Sequence, residues 1–172
     1  QNTVLRAGAL TGFRFANADE LYYFNARTYA MLAINPQVKP MGTKEYFAQM
    51  EHTYTAGKVD VHYRHIRSSD EIGYQYSCGT VSGFAASCNS NLYDTKRQVL
   101  SVNGSWKPSH ALTLKAGLDF VDATIDSGFD AGNRIPLTPR RVARLTAEQR
   151  MDGYTLVATS RYRSNMAQSS DS

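Results

Sequence analysis

The residues with the greatest chemical potential are two histidines and a set of charged side chains. His62 and His65 lie three positions apart, and a β-strand places residues three apart on opposite faces, so we do not expect them to share a metal ion. The sequence has no nucleophile motif, no glycine-rich phosphate loop and no metal-ligand spacing. It therefore predicts no enzyme activity, no cofactor and no metal site. The charged residues at mid-strand positions, which indicate a hydrated wall more than an acid–base site, are Glu51, Asp60, Arg64, Lys115, Asp119, Arg144, Glu148 and Arg161.

Strict alternation of polar and apolar residues recurs along the chain and predicts half-buried β-strands. The six regular segments are 44–56, 59–64, 99–106, 112–120, 143–148 and 154–162, and a less regular seventh covers 3–13.

The connections between these segments alternate between short and long. Tight turns are predicted at 56–58, 107–110 and 151–153, where Gly and Pro supply turn geometry. Long loops are predicted at 15–43, 68–94 and 124–137. In an up-and-down meander this puts all short turns at one end of the sheet, as in outer-membrane β-barrels.

Three features favour a transmembrane barrel over a soluble sandwich or lipocalin-like barrel, both of which also alternate. The longest strands reach ~11–13 residues, against about 5–6 in soluble sheets and about 9–11 in membrane strands. Charged residues in the middle of the strands keep to one face. Aromatic residues of the other face lie near the strand ends, as membrane interfaces select. They are Tyr54, Trp106 and Tyr154 near the turns, and Tyr46, Tyr63, Phe120 and Tyr162 near the loops. The predicted fold class is an all-β, antiparallel up-and-down transmembrane β-barrel segment.

Charge and cysteine usage add two expectations. The net charge of +4 comes from scattered Lys and Arg residues, so nucleic acid is not an expected partner. Cys78 and Cys88 lie close together in a Gly/Ser/Asn-rich stretch, which favours a local disulfide in an oxidising compartment, with two free thiols as the alternative. The disulfide would stiffen the second long loop.

Seven strands cannot close a bacterial barrel, since single-chain barrels have even strand numbers and open edges are not tolerated in lipid. We therefore expect residues 1–172 to be a fragment of a larger barrel.

Three segments in order carry a resemblance to TonB-dependent outer-membrane receptors. The family has an aromatic-Arg segment leading to Glu-Leu-Tyr, an Asn-Pro-x-Leu-Lys-Pro-Glu stretch and an Ile-Pro-Leu-x-Pro-Arg segment. This sequence departs at Ala16, where Pro is usual, at Met41, where Glu is usual, and in the strand entry at 96–98. The matching residues are Phe13, Arg14, Glu20, Leu21 and Tyr22, then Asn35, Pro36, Lys39 and Pro40, then Ile135, Pro136, Leu137, Pro139 and Arg140.

The resemblance implies one domain over 1–172, contributing about seven strands to a barrel of about 22 strands, with the plug domain and the last strands absent. It implies the outer membrane of a Gram-negative bacterium, contact with its lipid, and energy coupling through TonB by way of the plug. A ferric siderophore is the first expected ligand, with haem and cobalamin as other choices. The alternatives are a porin or adhesin without TonB coupling, an outer-membrane enzyme, and a soluble β-barrel binding protein.

Tyrosines in the long loops are the candidate ligand contacts, because a phenol ring offers a rigid apolar surface and a hydroxyl. The alternative is that they pack the loops together or lie at the outer interface. The candidates are Tyr22, Tyr23 and Tyr29 in the first loop, Tyr74, Tyr76 and Tyr93 in the second, and Phe129 in the third.

Overall fold

Long antiparallel strands dominate the computed structural model, which describes residues 1–17, 20–21, 38–75, 80–81, 84–85, 88–128 and 131–166. No helix in these ranges is long and apolar enough to cross a membrane. The strands are β1 (Asn2–Arg14), β2 (Met41–Tyr54), β3 (Gly57–Gln75), β4 (Thr80–Val81), β5 (Phe84–Ala85), β6 (Cys88–Trp106), β7 (Leu112–Ile125), β8 (Arg141–Met151) and β9 (Tyr154–Arg163).

Seven of these strands form one sheet in the order β1-β2-β3-β6-β7-β8-β9, and every neighbouring pair is antiparallel. β4 and β5 pair only with each other. The sheet is an up-and-down meander, so the fold class that the alternation predicts is confirmed. The three tight turns also form: Tyr54 lies opposite Gly57, and Gly153 supplies a φ of 80° between Met151 and Tyr154.

The pairing register gives the sheet two chemically distinct faces. On one face the large apolar side chains are exposed: Trp106 is 50% exposed, Leu118 45% and Leu156 59%. A water-soluble fold buries such residues, so their exposure on one continuous face marks a surface that meets a nonaqueous environment. We call this the apolar face; it carries Leu5, Met50, Val61, Val102, Leu118, Leu145 and Leu156. The opposite, polar face carries Glu51, Asp60, Asn103, Lys115, Asp119 and Arg144.

Aromatic residues bound the apolar face at both ends. On β2, Tyr46 and Tyr54 are separated by eight residues, or about 26 Å along the strand. A strand tilted by about 40° from the membrane normal would span about 20 Å of membrane thickness over this length. The apolar band of outer-membrane barrels is about 25 Å tall. On β2 the two aromatic residues are therefore separated by roughly the distance between two membrane interfaces.

The predicted second loop, 68–94, is wrong in extent. β3 continues to Gln75 and β6 begins at Cys88, so this hairpin projects well beyond the other strands at the long-loop end. Two register shifts between Ser68 and Ile72 accompany a left-handed Asp70, with φ 55°. Because bulges interrupt alternation, the period-two signal fades while the backbone ladder continues.

The buried residues gather on the polar face at the same end. Val99, Ala123, Ile125 and Val142 are at most 9% exposed. The chain before β8 returns along β7, where the Ile135 amide donates to the Ala123 carbonyl at 3.1 Å. This return closes over the small core and positions the third long connection against the sheet.

Candidate functional site

The middle of the polar face is a cross-strand network of charged and amide groups. Arg144 donates to Asp119 at 2.6 Å, and Ser101 donates to the other oxygen of the same carboxylate at 2.7 Å. Lys115 and Glu148 pair at 3.2 Å. Partly exposed pairs of this kind add little to stability, since solvent screens them. Their consequence is a hydrated, charge-balanced wall, which agrees with the interpretation of these residues from sequence.

A shallow concavity of about 540 Å³ opens on this wall towards the tight turns. Gln49 donates to Asp60 at 2.6 Å across its floor, and Lys58 lies 3.8 Å from Glu51. Its lining alternates donors and acceptors over several strands. Such a surface suits contact with another polar protein surface or with water better than enclosure of a small apolar ligand.

His62 and His65 lie on opposite faces of β3, as the strand period predicts. His62 is opposite Gln49 and Ser101 on the polar face, and its ring meets Phe47 edge to face at 5.8 Å. His65 is opposite Tyr46 on the other face and accepts a bond from Arg67 at 3.2 Å. Within the described ranges, no three His, Cys, Asp or Glu residues gather around a possible metal position.

A second charged cluster lies at the long-loop end and begins where β1 ends. Arg14 donates to the Glu20 carboxylate at 2.7 Å. Glu20 also accepts from the Asn17 amide at 2.9 Å, while the Asn17 side chain accepts from the Glu20 amide at 2.8 Å. This reciprocal pattern is a capping box, which starts a helical turn directly after the strand. The Arg14 hydrogen bond and charge lower the pKa of Glu20, and those of Glu20 raise the pKa of Arg14.

Glu71 forms the neighbouring part of the cluster. The two terminal nitrogens of Arg97 donate to the two carboxylate oxygens of Glu71, at 2.6 Å and 3.0 Å. The Thr95 hydroxyl also donates to this carboxylate. Partial burial raises the pKa of Glu71, but the bonds from Arg97 and Thr95 and the charges of Arg97 and Arg14 outweigh this and lower it. The charge of Arg14 thus links the carboxylates of the first loop and of the β3–β6 extension.

Asn91 and Asp94 on β6 tie the connections to this extension. The Asn91 side chain accepts from the Lys39 amide at 2.7 Å and donates to the Lys39 carbonyl at 2.9 Å. The Asp94 backbone amide donates to the Ser127 hydroxyl at 2.8 Å. The end of the first loop and the start of the third therefore meet the β3–β6 hairpin, which acts as a common support.

The structure places only some of the predicted site residues. Tyr93 is half-buried on β6 opposite Glu71, and Tyr74 lies on β3 opposite Asn89. Of the motif residues, Phe13 and Arg14 end β1, Glu20 and Leu21 form the capped turn, Lys39 and Pro40 precede β2, and 135–140 lead into β8. Cys88 lies opposite Gln75 at the start of β6. Its disulfide with Cys78 stays a prediction, because Cys78 is outside the described ranges. The residues outside the described ranges are Tyr22, Tyr23, Tyr29, Asn35, Pro36, Tyr76, Cys78 and Phe129.

Sequence reasoning missed the hydrogen-bonded cluster of Glu71, Thr95 and Arg97. Opposite charges were visible on two segments, but their pairing depends on the bulges that turn Glu71 onto the polar face beside Arg97. The missed Asn91 contact has no sequence signal, because it joins a side chain to a backbone far away in the chain.

The meander, its exposed apolar face and its charge-balanced polar face define a wall segment of a transmembrane-type β-barrel. The family model described as "TonB dependent receptor-like, beta-barrel" matches residues 1–172. The chain belongs to this family. The resemblance carried by the three sequence motifs is confirmed, and the family favours the receptor over the porin, adhesin and soluble alternatives.

Comparison with known structures gives the same fold. A chain described as "Copper transporter OprC" is 17% identical, with a TM-score of 0.71 over 92% of this chain. At this identity the likeness concerns the fold alone. The present chain spans 24% of the length of that protein. No curated protein matches the sequence.

Proposed function

We propose that the chain forms part of the wall of a TonB-dependent receptor in the outer membrane of a Gram-negative bacterium. In this role it takes part in energy-coupled uptake of a scarce nutrient, for which a ferric siderophore is the candidate. The observation that supports the proposal most is the family match over all 172 residues, on a seven-stranded sheet with one exposed apolar face.

The two faces of the sheet suit different surroundings. The apolar face contacts lipid, since its exposed side chains carry no charge between the two aromatic rows. The polar face lines the inside of the barrel and meets a plug domain, through which TonB acts. The long-loop end faces outward, where Tyr93 and the Glu71–Arg97 pair lie on the path of an incoming ligand.

Growth and uptake by a receptor deletion strain test the proposal. The strain, complemented with the full-length gene, is supplied in turn with ferric siderophores of defined type, haem, cobalamin and copper salts. Copper is included because the structural neighbour is described as a copper transporter. We expect uptake of a ferric siderophore that requires both the gene and TonB. Uptake that persists without TonB would contradict the coupling, and uptake of another ligand alone would replace the siderophore.

A pair of tyrosine variants tests the ligand-facing end. Tyr93→Ala removes a ring beside Glu71, and Tyr154→Ala removes a 63% exposed ring beside a tight turn. A lost aromatic contact costs about 1–1.5 kcal/mol, so Tyr93→Ala is expected to weaken ligand binding roughly ten-fold. Tyr154→Ala should leave the dissociation constant unchanged. Equal dissociation constants of the transported ligand for the two variants would contradict a ligand contact at Tyr93.

A further inference from the structure

Two asparagines near the start of β6 contact both ends of the first long connection, which joins β1 to β2. The Asn91 carboxamide accepts a hydrogen bond from the Lys39 amide at 2.7 Å and donates to the Lys39 carbonyl at 2.9 Å. The Asn89 carboxamide donates to the Glu20 carbonyl at 3.1 Å. Because the two asparagines are only about 7 Å apart along the strand, one short piece of β6 holds the beginning and the end of this connection. We call Asn89 and Asn91 the amide clamp.

The sequence at Lys39 suits the clamp. Lys39 precedes Pro40, and a residue before proline is confined to extended conformations. An extended residue directs its own amide and carbonyl to the same side of the chain, as in a β-ladder. A carboxamide offers a donor and an acceptor side by side, so Asn91 pairs with both backbone groups of Lys39 at once.

The Asn91 side chain uses its full donor capacity in this position. Besides the Lys39 carbonyl, its nitrogen donates to the Asp70 carbonyl at 2.7 Å, at the left-handed residue of the β3 bulge. Both N–H groups and the oxygen of the carboxamide therefore have backbone partners. An aspartate here would have the same shape but neither donor.

The clamp is part of the same strand segment as the proposed ligand contact. Tyr93 lies two positions after Asn91 on β6. At the other end of the connection, Glu20 is held twice, since its carboxylate accepts from Arg14 at the end of β1 and its carbonyl accepts from Asn89. The first connection therefore leaves the sheet and returns to it at points that β6 fixes beside Tyr93.

We propose that Asn89 and Asn91 are positioning residues for ligand capture, which hold both ends of the first connection beside Tyr93 without contacting the ligand. The inference rests on the proposed function and adds how the binding end is prepared for its ligand. A site that is already ordered avoids the ordering cost of binding, and a site that is ordered for a fraction of the time binds more weakly by that fraction. The clamp therefore acts on the association rate constant, whereas loss of a direct contact such as Tyr93 acts mainly on the dissociation rate constant.

Stopped-flow binding to the full-length protein in detergent tests the clamp. The probes, tried in turn, are a ferric hydroxamate siderophore, a ferric catecholate siderophore, haem, cobalamin and Cu²⁺. Asn91→Asp loses both donors, and Asn91→Ala loses all three hydrogen bonds without added charge. Each is expected to lower the association rate constant roughly ten-fold and to leave the dissociation rate constant unchanged. Asn89→Ala, which loses the bond to the Glu20 carbonyl, should lower the association rate constant about three-fold.

Asn165→Asp is the matched control. Asn165 follows β9 at the same end of the sheet, is exposed, and has no hydrogen bond from its carboxamide in the described part of the chain. This variant adds the same charge as Asn91→Asp and should keep both rate constants. Hydrogen exchange at the Lys39 amide shows directly whether the clamp has opened, and it should be roughly ten-fold faster in both Asn91 variants.

Four results would overturn the inference. They are an unchanged exchange rate at Lys39, faster exchange at Lys39 with an unchanged association rate constant, a rise in the dissociation rate constant alone, and an equal effect of Asn165→Asp. Any of these in a parent protein that binds one of the probes would leave the proposed function intact. A parent protein that binds none of the probes would contradict the proposed function, and the clamp's role in capture with it.

Discussion

At the residue scale, the two-point contact between Glu71 and Arg97 anchors the base of the β3–β6 extension. Both side chains are shielded, with 21% and 26% of their surface exposed. Glu71→Gln removes the charge and is expected to cost about 1–2 kcal/mol of local stability, because charge-assisted bonds contribute more than neutral ones. Hydrogen exchange of the full-length protein should show residues 88–97 exchanging roughly ten-fold faster.

The control for this prediction is Glu45→Gln. Glu45 lies on the same face of the sheet, opposite Ile66, and has no ion pair within the described ranges. Exchange rates that rise equally in both variants would show that the Glu71 contact does not anchor the extension.

The same cluster predicts a pH dependence. The pKa values of Glu20 and Glu71 are lowered from 4.5, so both carboxylates favour the folded arrangement when ionised. Their contribution is complete above the unfolded pKa of 4.5 and decreases as the pH falls through the lowered folded values. Hydrogen exchange corrected for the intrinsic rate should therefore show unchanged protection between about pH 7 and about pH 5.5 and loss at more acidic pH. Protection that decreases already between these two values would contradict the assignment.

Residue-level prediction from sequence succeeded where a local period decides the geometry. His62 and His65 illustrate this, since their separation on two faces follows from the strand alone. It failed for Glu71 and Asn91, whose partners depend on bulges and on backbone groups more than twenty positions away. No local pattern encodes such contacts.

At the element scale, the first tight hairpin depends on the absence of a side chain at Gly57. A Cβ atom there would lie 1.9 Å from the Ser105 carbonyl oxygen, so Gly57→Ala must push β3 and β6 apart at the turn. We expect a cost of about 2 kcal/mol or more, as for other overpacked sites. The measurement is the temperature at which the full-length protein in detergent loses its compact form on an unboiled gel.

Gly104→Ala is the matched substitution on the neighbouring strand. A Cβ atom at Gly104 would meet its nearest neighbour, the Lys58 carbonyl oxygen, at 3.9 Å, which is ordinary contact. This variant should keep the parent's transition temperature. A shift as large as that of Gly57→Ala would show that the close approach is not the cause.

Strand prediction was accurate near the tight turns and poor at the long-loop end. Near the turns, one face meets an apolar environment and the other meets polar partners, so the sequence must alternate. Beyond the aromatic row, the register shifts between Ser68 and Ile72 interrupt the alternation, and β3 and β6 extend to Gln75 and Cys88 without a clear period of two. The prediction therefore located the apolar band well and the outer hairpin badly.

At the scale of the whole molecule, the order of connections predicts which end of the sheet faces the cell exterior in the proposed membrane placement. All tight turns lie at one end, and the 126–140 connection and the long β3–β6 hairpin lie at the other. Outer-membrane barrels place short turns in the periplasm and long loops outside. On the proposed placement, the charge-balanced polar face lines the interior and the apolar face contacts the lipid.

Single cysteines test this orientation in intact cells expressing the full-length protein. Ala131 lies in the third long connection and Asp152 in a tight turn, and both are exposed. A membrane-impermeant maleimide should label Ala131→Cys in intact cells and Asp152→Cys only after the outer membrane is disrupted. The parent protein, which carries Cys78 and Cys88, gives the background that is subtracted from both. Labelling of Asp152→Cys alone in intact cells would show the opposite orientation. Equal labelling of both variants in intact cells would contradict the placement of the sheet in the membrane.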